Sequence, residues 1–245
     1  MTKYKLTIQY VGRRYAGWQI QRDKKTVQAS LRDAVERLTG ELVSVVGAGR
    51  TDSGVHALGQ VAHIRLEKEM QATRLHRALN GILPADIRIV SVRAVAPDFH
   101  AQKHAVRKRY VYRIFNGPVL SPFLCGLVCH VIPPLDLEAM SAAAQLIIGR
   151  HDFRGFAAAA STVRDHHRQV LSSRLVRRGR HIRYVIEADG FLHHMVRNIM
   201  GTLLQVGRGK RSPSDMLRIL ESRDRRNAGP TARPEGLYLV KVWYR

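Results

Sequence analysis

The chain has 245 residues, and 41 Lys and Arg outweigh 19 Asp and Glu to give a formal charge of +22. That length allows one large or two small domains with a substantial core, and positive charge spread along the whole chain favours a polyanionic partner, nucleic acid first. No apolar run approaches the ~18 residues of a membrane span, no apolar leader opens the chain, and no long basic amphipathic helix marks a membrane-surface binder, so a soluble intracellular protein is expected.

In chain order, Tyr4, Leu6, Ile8 and Tyr10 alternate with polar residues and predict a half-buried strand. Val27, Leu31, Ala34, Val35 and Leu38 recur at helical spacing, with Gly40 as the stop. Residues 42–48 read as a strand running into a glycine-rich loop, and residues 60–66 as the strand leaving it. Leu75, Leu79, Ile82 and Leu83 form a helical stripe ended by Pro84, followed by a strand over 87–95. The order β-α-β-β-α-β is the split ferredoxin-like unit.

An irregular basic connector spans about 96–108, after which a similar order returns. Residues 109–115 read as a strand and Leu137, Met140, Ala144, Ile147 and Ile148 as a helical stripe. Strands near 170–176 and 182–188 turn through Arg178-Gly179-Arg180. Leu192, Met195, Val196, Ile199, Met200 and Leu203 share one helical face, Ser212-Pro213 with Asp215 starts a short helix, and 237–243 is a final strand. The expected fold is therefore α+β, with two ferredoxin-like halves, 1–104 and 105–245, joined into one extended antiparallel sheet. Helices would lie on one face, with the active-site cleft between the halves.

The string from Gly47 to His63, GAGRTDSGVHALGQVAH, places Asp52 two residues after Arg50 among glycines at 47, 49, 54 and 59. Asp-Ser-Gly alone is ordinary turn chemistry. A simple turn, however, does not need Arg50, Thr51 and His56 as well, and Arg50 could hold a carboxylate ionised or grip a phosphate. His56 and His63 could serve as bases or as ordinary hydrogen-bonded residues. In the strand around 104–113, Tyr110 and Tyr112 face one way and Arg107, Arg109 and Arg113 the other, which suits either a stacking platform for unstacked bases or tyrosines in a core. Arg197 stands in a largely apolar helix, where a cation needs an anionic partner, structural or the Asp52 carboxylate. His151-Asp152 reads as structural and His166-His167-Arg168 as RNA-facing. Cys125 and Cys129, followed by His130, are too few for a disulfide framework and lack further zinc ligands; they read as reduced thiols.

GRTDSGVH at 49–56 resembles the catalytic motif of the TruA family of tRNA pseudouridine synthases. So do Gly17-Trp-Gln, Thr26-Val-Gln, the run from Leu79 to Ile87, Phe99-His-Ala, Arg109-Tyr-Val-Tyr, the run from Gly149 to Phe153, the run from Gly190 to Arg197, and Gly236-Leu-Tyr-Leu. The series is in order and covers essentially the whole chain. Val11 departs from a common acid and Arg233 from a usual proline. The resemblance implies isomerisation of uridine to pseudouridine at positions 38, 39 and 40 of the tRNA anticodon arm. Asp52 matches the catalytic aspartate, Tyr110 the ring stacking on the target base, Arg197 the aspartate's salt-bridge partner, and Arg50 an arginine next to the active site. It also implies a homodimer with tRNA as partner and no cofactor; the reaction requires no metal, in keeping with the lack of ligand clusters, and the reduced thiols suit a cytoplasmic protein. An RNA-binding module without catalysis would share the charge and fold, but leaves a carboxylate in a phosphate-attracting loop unexplained; a metal-dependent nuclease would need more carboxylates near Asp52.

Overall fold

A computed structural model describes residues 1–158 and 163–245. The chain forms two compact units, Met1–Val106 with Leu239–Arg245, and Arg107–Tyr238. The final strand's outer residues thus group with the beginning of the chain.

In the first unit, strand β1 (Thr2–Tyr10) has antiparallel neighbours on both sides, β3 (His56–Leu66) and β4 (Ile87–Val95). The alternation seen in the sequence is the burial pattern: Tyr4, Leu6, Ile8 and Tyr10 point inward, with Leu6 opposite Ala62 and Val92. Helix α1 (Val27–Thr39) starts at Thr26, whose hydroxyl accepts a hydrogen bond from the Ala29 amide, and ends at Gly40 in the left-handed conformation. Val27, Leu31, Ala34 and Val35 bury its inner stripe, and helix α2 (Ala72–Ile82) buries Leu75 and Leu79. Strand β10 (Leu237–Tyr244) lies beside β3.

The strand expected over 42–48 shrinks to β2, Val46–Gly47, paired with His63 and Ala62. Val43 and Val45 are buried as a strand pattern would have them, but the Val45 carbonyl accepts from the Gln28 side chain at 2.7 Å. A side-chain amide from α1 has taken the place of a ladder partner.

In the second unit the sheet order is β5 (Ala105–Asn116), β9 (His181–Ala188), β8 (His167–Arg178) and β7 (Gly149–Asp152), all antiparallel neighbours. A short strand β6 (Cys129–Val131) pairs with β5 in parallel. Helix α3 (Leu137–Gln145) stops before the end of its apolar stripe, because Ile147 is buried outside the helix and Gly149 at φ 116° turns the chain into β7. Helix α4 (Met195–Gly207) begins three residues later than its apolar pattern suggests, since Leu192 packs from the preceding turn, its carbonyl accepting the Met195 amide. Helix α5 (Asp215–Ser222) starts where expected, with the Asp215 carboxylate accepting from the Ser212 amide at 2.9 Å. No helix among the described residues is long and apolar enough to cross a membrane.

Candidate active site

In the first unit, Asp52 lies half-buried in the loop between β2 and β3, with Arg50 exposed beside it. Two chain segments brace that loop. The Gln60 side chain donates to the Gly49 carbonyl at 2.9 Å, and the Ala48 amide to Val61 at 2.7 Å. From the other side, residues 10–18 fold against it: the Trp18 amide donates to the Thr51 carbonyl at 3.0 Å, while the Gly54 amide and the Ser53 hydroxyl both donate to the Tyr15 carbonyl. The Val55 amide closes the turn onto the Asp52 carbonyl at 3.1 Å.

Two features make this approach possible. Gly17 adopts φ 99°, and a Cβ there would sit 2.6 Å from the Thr51 carbonyl oxygen; only glycine permits both the conformation and the proximity. Buried Thr51 shares a 2.7 Å hydrogen bond with the Tyr10 hydroxyl, whose pKa burial pushes far above its ordinary value. That phenol therefore stays neutral and acts only as a hydrogen-bonding strut. Of the two histidines that sequence left open as bases, His56 is buried and its Nδ1 accepts from the Gly12 amide at 3.1 Å. His63 accepts from the Ala101 amide at 3.1 Å and is held neutral, its pKa lowered to about 4 chiefly by burial and then by Lys3, His100 and Arg65. Both rings anchor backbone.

In the second unit, β5 presents Tyr110 and Tyr112 on one face. Tyr112 belongs to the core, wholly buried with its hydroxyl donating to the Arg233 carbonyl at 2.7 Å. Because that acceptor is backbone, the departure at position 233 leaves the bond intact. Tyr110 makes an edge-to-face contact with Phe191, centroids 5.0 Å apart at 83°. Lys108 lies on the same face as Tyr110, with its pKa lowered mainly by burial. On the opposite face Glu187 pins Arg109 at 2.5 Å and Arg107 at 3.3 Å.

Arg197 sits in the first turn of α4, half-buried, with its Nε donating to the Ala232 carbonyl at 2.8 Å while the Ala232 amide donates back to the Arg197 carbonyl at 3.0 Å. The segment 225–233 is held there by a network around buried Asn198 and Thr202. The Asn198 amide donates to the Phe156 carbonyl, and its oxygen accepts from Thr231 at 2.7 Å and from Arg225 at 3.1 Å. The Thr202 hydroxyl accepts from the Gly229 amide at 2.9 Å. A Cβ at Gly201 would lie 1.6 Å from the Pro230 carbonyl oxygen, so the close approach depends on that glycine. Arg225, Asn198 and Thr231 are more than 25 positions apart at the extremes, and only a lone Asn in an apolar helix hinted at them. Asp152 lies in an ion-pair cluster, near Arg154 at 3.7 Å and Arg223 at 3.4 Å, while His151 Nε2 hydrogen-bonds the Ile148 carbonyl at 3.0 Å. His167 and Arg168 line an open cavity of about 250 Å³ with Arg150, Asp165, Asp189 and Gly190. Cys125 is an exposed thiol; Cys129 is buried, which raises its pKa.

The chain matches the family model described as tRNA pseudouridine synthase over residues 6–102 and 143–245. It is 46% identical over 242 residues to a protein of Moorella thermoacetica named tRNA pseudouridine synthase A, covering 98% of each chain. It is 44% identical over 244 residues to the protein of that name from Acetivibrio thermocellus, covering all of both chains. The Myxococcus xanthus protein of that name is 43% identical, with all of this chain and 93% of that one covered.

Proposed function

The chain belongs to the tRNA pseudouridine synthase family, and we propose that it isomerises uridine to pseudouridine at positions 38, 39 and 40 of the tRNA anticodon stem-loop. In this reading Asp52 is the catalytic carboxylate, Tyr110 stacks on the target base, Arg197 keeps the carboxylate charged and Arg50 binds substrate beside it. The reading extends to the division of labour between halves, 1–104 supplying the acid and 105–245 the ring and the cation. The observation that carries it is the full-length match combined with the bracing of the Asp52 loop, which is stiffer than a connecting turn requires.

The reaction breaks the bond from the ribose C1′ to uracil N1 and forms one from C1′ to C5. N1 gains a proton, C5 loses one, and nothing is oxidised or reduced. A single carboxylate is enough, whether it attacks the sugar or the base as nucleophile or removes a ribose proton. Before this the target nucleotide must leave its stack, at a cost of a few kcal/mol, and an aromatic ring such as Tyr110 offers a replacement surface. A cation near the carboxylate favours its charged form in a water-poor site.

We also assign a homodimer and a cytoplasmic location. The first is supported by residues 117–135, which contain no Lys, Arg, Asp or Glu in this otherwise cationic chain. Phe123, Val119 and Ile132 in that stretch are 88%, 75% and 61% exposed. Such a patch suits a protein surface better than RNA.

The test is Asp52→Asn and Asp52→Ala with tRNA carrying tritium at uracil C5. Both variants are expected to bind tRNA nearly as the parent does and to release no label, even in a single turnover. Normal release from either removes Asp52 from the chemistry.

A further inference from the structure

The hairpin formed by β8 and β9 carries a second charged surface. Residues 174–183 contain Arg174, Arg177, Arg178, Arg180, His181 and Arg183 and no acidic residue. The turn is tight, a two-residue loop of Gly179 and Arg180 between paired Arg178 and His181, with φ 58° at Gly179. All six side chains are exposed. Among the described residues, none of the five arginines takes part in an ion pair, in contrast to Arg107 and Arg109, which share Glu187 on the same sheet face.

The register sharpens this. Arg183 stands directly opposite Arg113 on one side, and Arg178 directly opposite His181 on the other. Like charges directly across strands cost stability, and Arg183 pairs with Val176, which makes Arg174 and Arg178 its two diagonal neighbours at roughly 7–8 Å, about a Debye length at physiological salt. Arg174, Arg178 and Arg183 therefore form a mutually repelling cationic triangle on a paired backbone, fitted to a ligand that brings several negative charges at similar spacing. A second copy of this chain would bring more repulsion; a nucleic-acid backbone supplies the missing charge.

We infer that this hairpin binds the sugar–phosphate backbone of tRNA outside the arm that carries the target uridine. The inference rests on the activity proposed above. Tyr110 pairs with Ile186 and points to the buried face, whereas Arg113, Arg183, Arg174 and Arg178 point to the open face. The hairpin end, where Phe115 pairs with His181, is five residues further along β5, about 17 Å away. An RNA segment lying on the open face is thus not the one held at Tyr110.

The experiment compares the parent with the triple variant R174A/R178A/R183A on full-length tRNA and on the isolated anticodon stem-loop, measuring affinity across salt and pseudouridine formation. For full-length tRNA the affinity is expected to fall about 10- to 100-fold at 0.1 M salt. The slope of log affinity against log salt is expected to shrink by about one per lost contact. Stem-loop binding and turnover are expected to stay at parental values, and R174K/R178K/R183K to restore the slope. Equal losses on both RNAs would overturn the assignment by placing these arginines at the modified arm. Unchanged binding to both, or a change in oligomeric state by sedimentation, would overturn it as well. Failure of the activity itself looks different, because the parent would then form no pseudouridine in either RNA.

Discussion

The Asp52 loop and the first turn of α4 are each clamped to a second segment of chain at a glycine, and they are clamped differently. At Asp52 the bracing is mostly backbone to backbone: Trp18 to Thr51, Gly54 to Tyr15, Ala48 to Val61. At Arg197 a side chain, Asn198, gathers Phe156, Thr231 and Arg225 onto one buried amide. Backbone bonds survive most substitutions, whereas loss of a buried side-chain hub breaks several bonds at once and leaves its buried partner, here the Phe156 carbonyl, unsatisfied. The chain thus braces its proposed catalytic acid mostly through backbone, and the segment behind its proposed cation leans on one side-chain hub beside the Arg197–Ala232 bonds.

The largest test of that contrast is Asn198→Ala. It strips the Phe156 carbonyl of its donor and leaves the Thr231 hydroxyl and Arg225 facing an apolar methyl. A loss of about 2–4 kcal/mol in denaturant unfolding is expected, with a fall in turnover because segment 225–233 no longer fixes Arg197. A loss below about 1 kcal/mol would mean that backbone contacts alone hold that segment.

Tyr10→Phe should do less. It removes one hydroxyl from the Thr51 pair while the backbone clamp stays, so about 1 kcal/mol of stability is expected to go. Turnover should drop a few-fold with KM unchanged, read by steady-state kinetics on tRNA. An effect as large as that of Asn198→Ala would erase the distinction between the two clamps.

The smallest expected effect lies on β3, the strand that leaves the Asp52 loop. His63, with its pKa lowered to about 4, binds fewer protons in the folded state than its ordinary pKa of about 6.5 allows when unfolded. Stability is therefore complete above about pH 6.5 and declines as the pH falls toward about 4. About 1–2 kcal/mol is at stake after allowance for solvent screening, and His63→Gln should flatten that part of the stability–pH curve. An unaltered curve would show that other groups set the acid limb.

Much of this was readable from residues alone. The period of two in β1, the Thr26 and Gly40 caps of α1 and the Ser212–Asp215 start of α5 are local signals that tertiary packing left in place. Where reading and structure part, a distant group intervened: Gln28 took the Val45 carbonyl, and Leu192 packed from a turn and not from the helix. The site shows the same division. Asp52 and Arg50 stood out because seventeen consecutive residues carry the pattern, whereas Thr51's partner Tyr10 is 41 positions away. His56 and His63 looked alike as candidate bases until their backbone donors, Gly12 and Ala101, became visible.

By itself, the sequence determined the charge, the element types and the family, and it singled out the acidic residue proposed to carry the chemistry, since each depends on composition or on neighbours within a few positions. The tertiary structure alone decided which side chains became struts, that Tyr112 is core, that Glu187 pairs with two arginines, and that Arg183 stands opposite Arg113 and Arg178 opposite His181. Those outcomes depend on hydrogen-bond geometry and strand register, which join residues far apart in the chain and leave no mark in local periodicity.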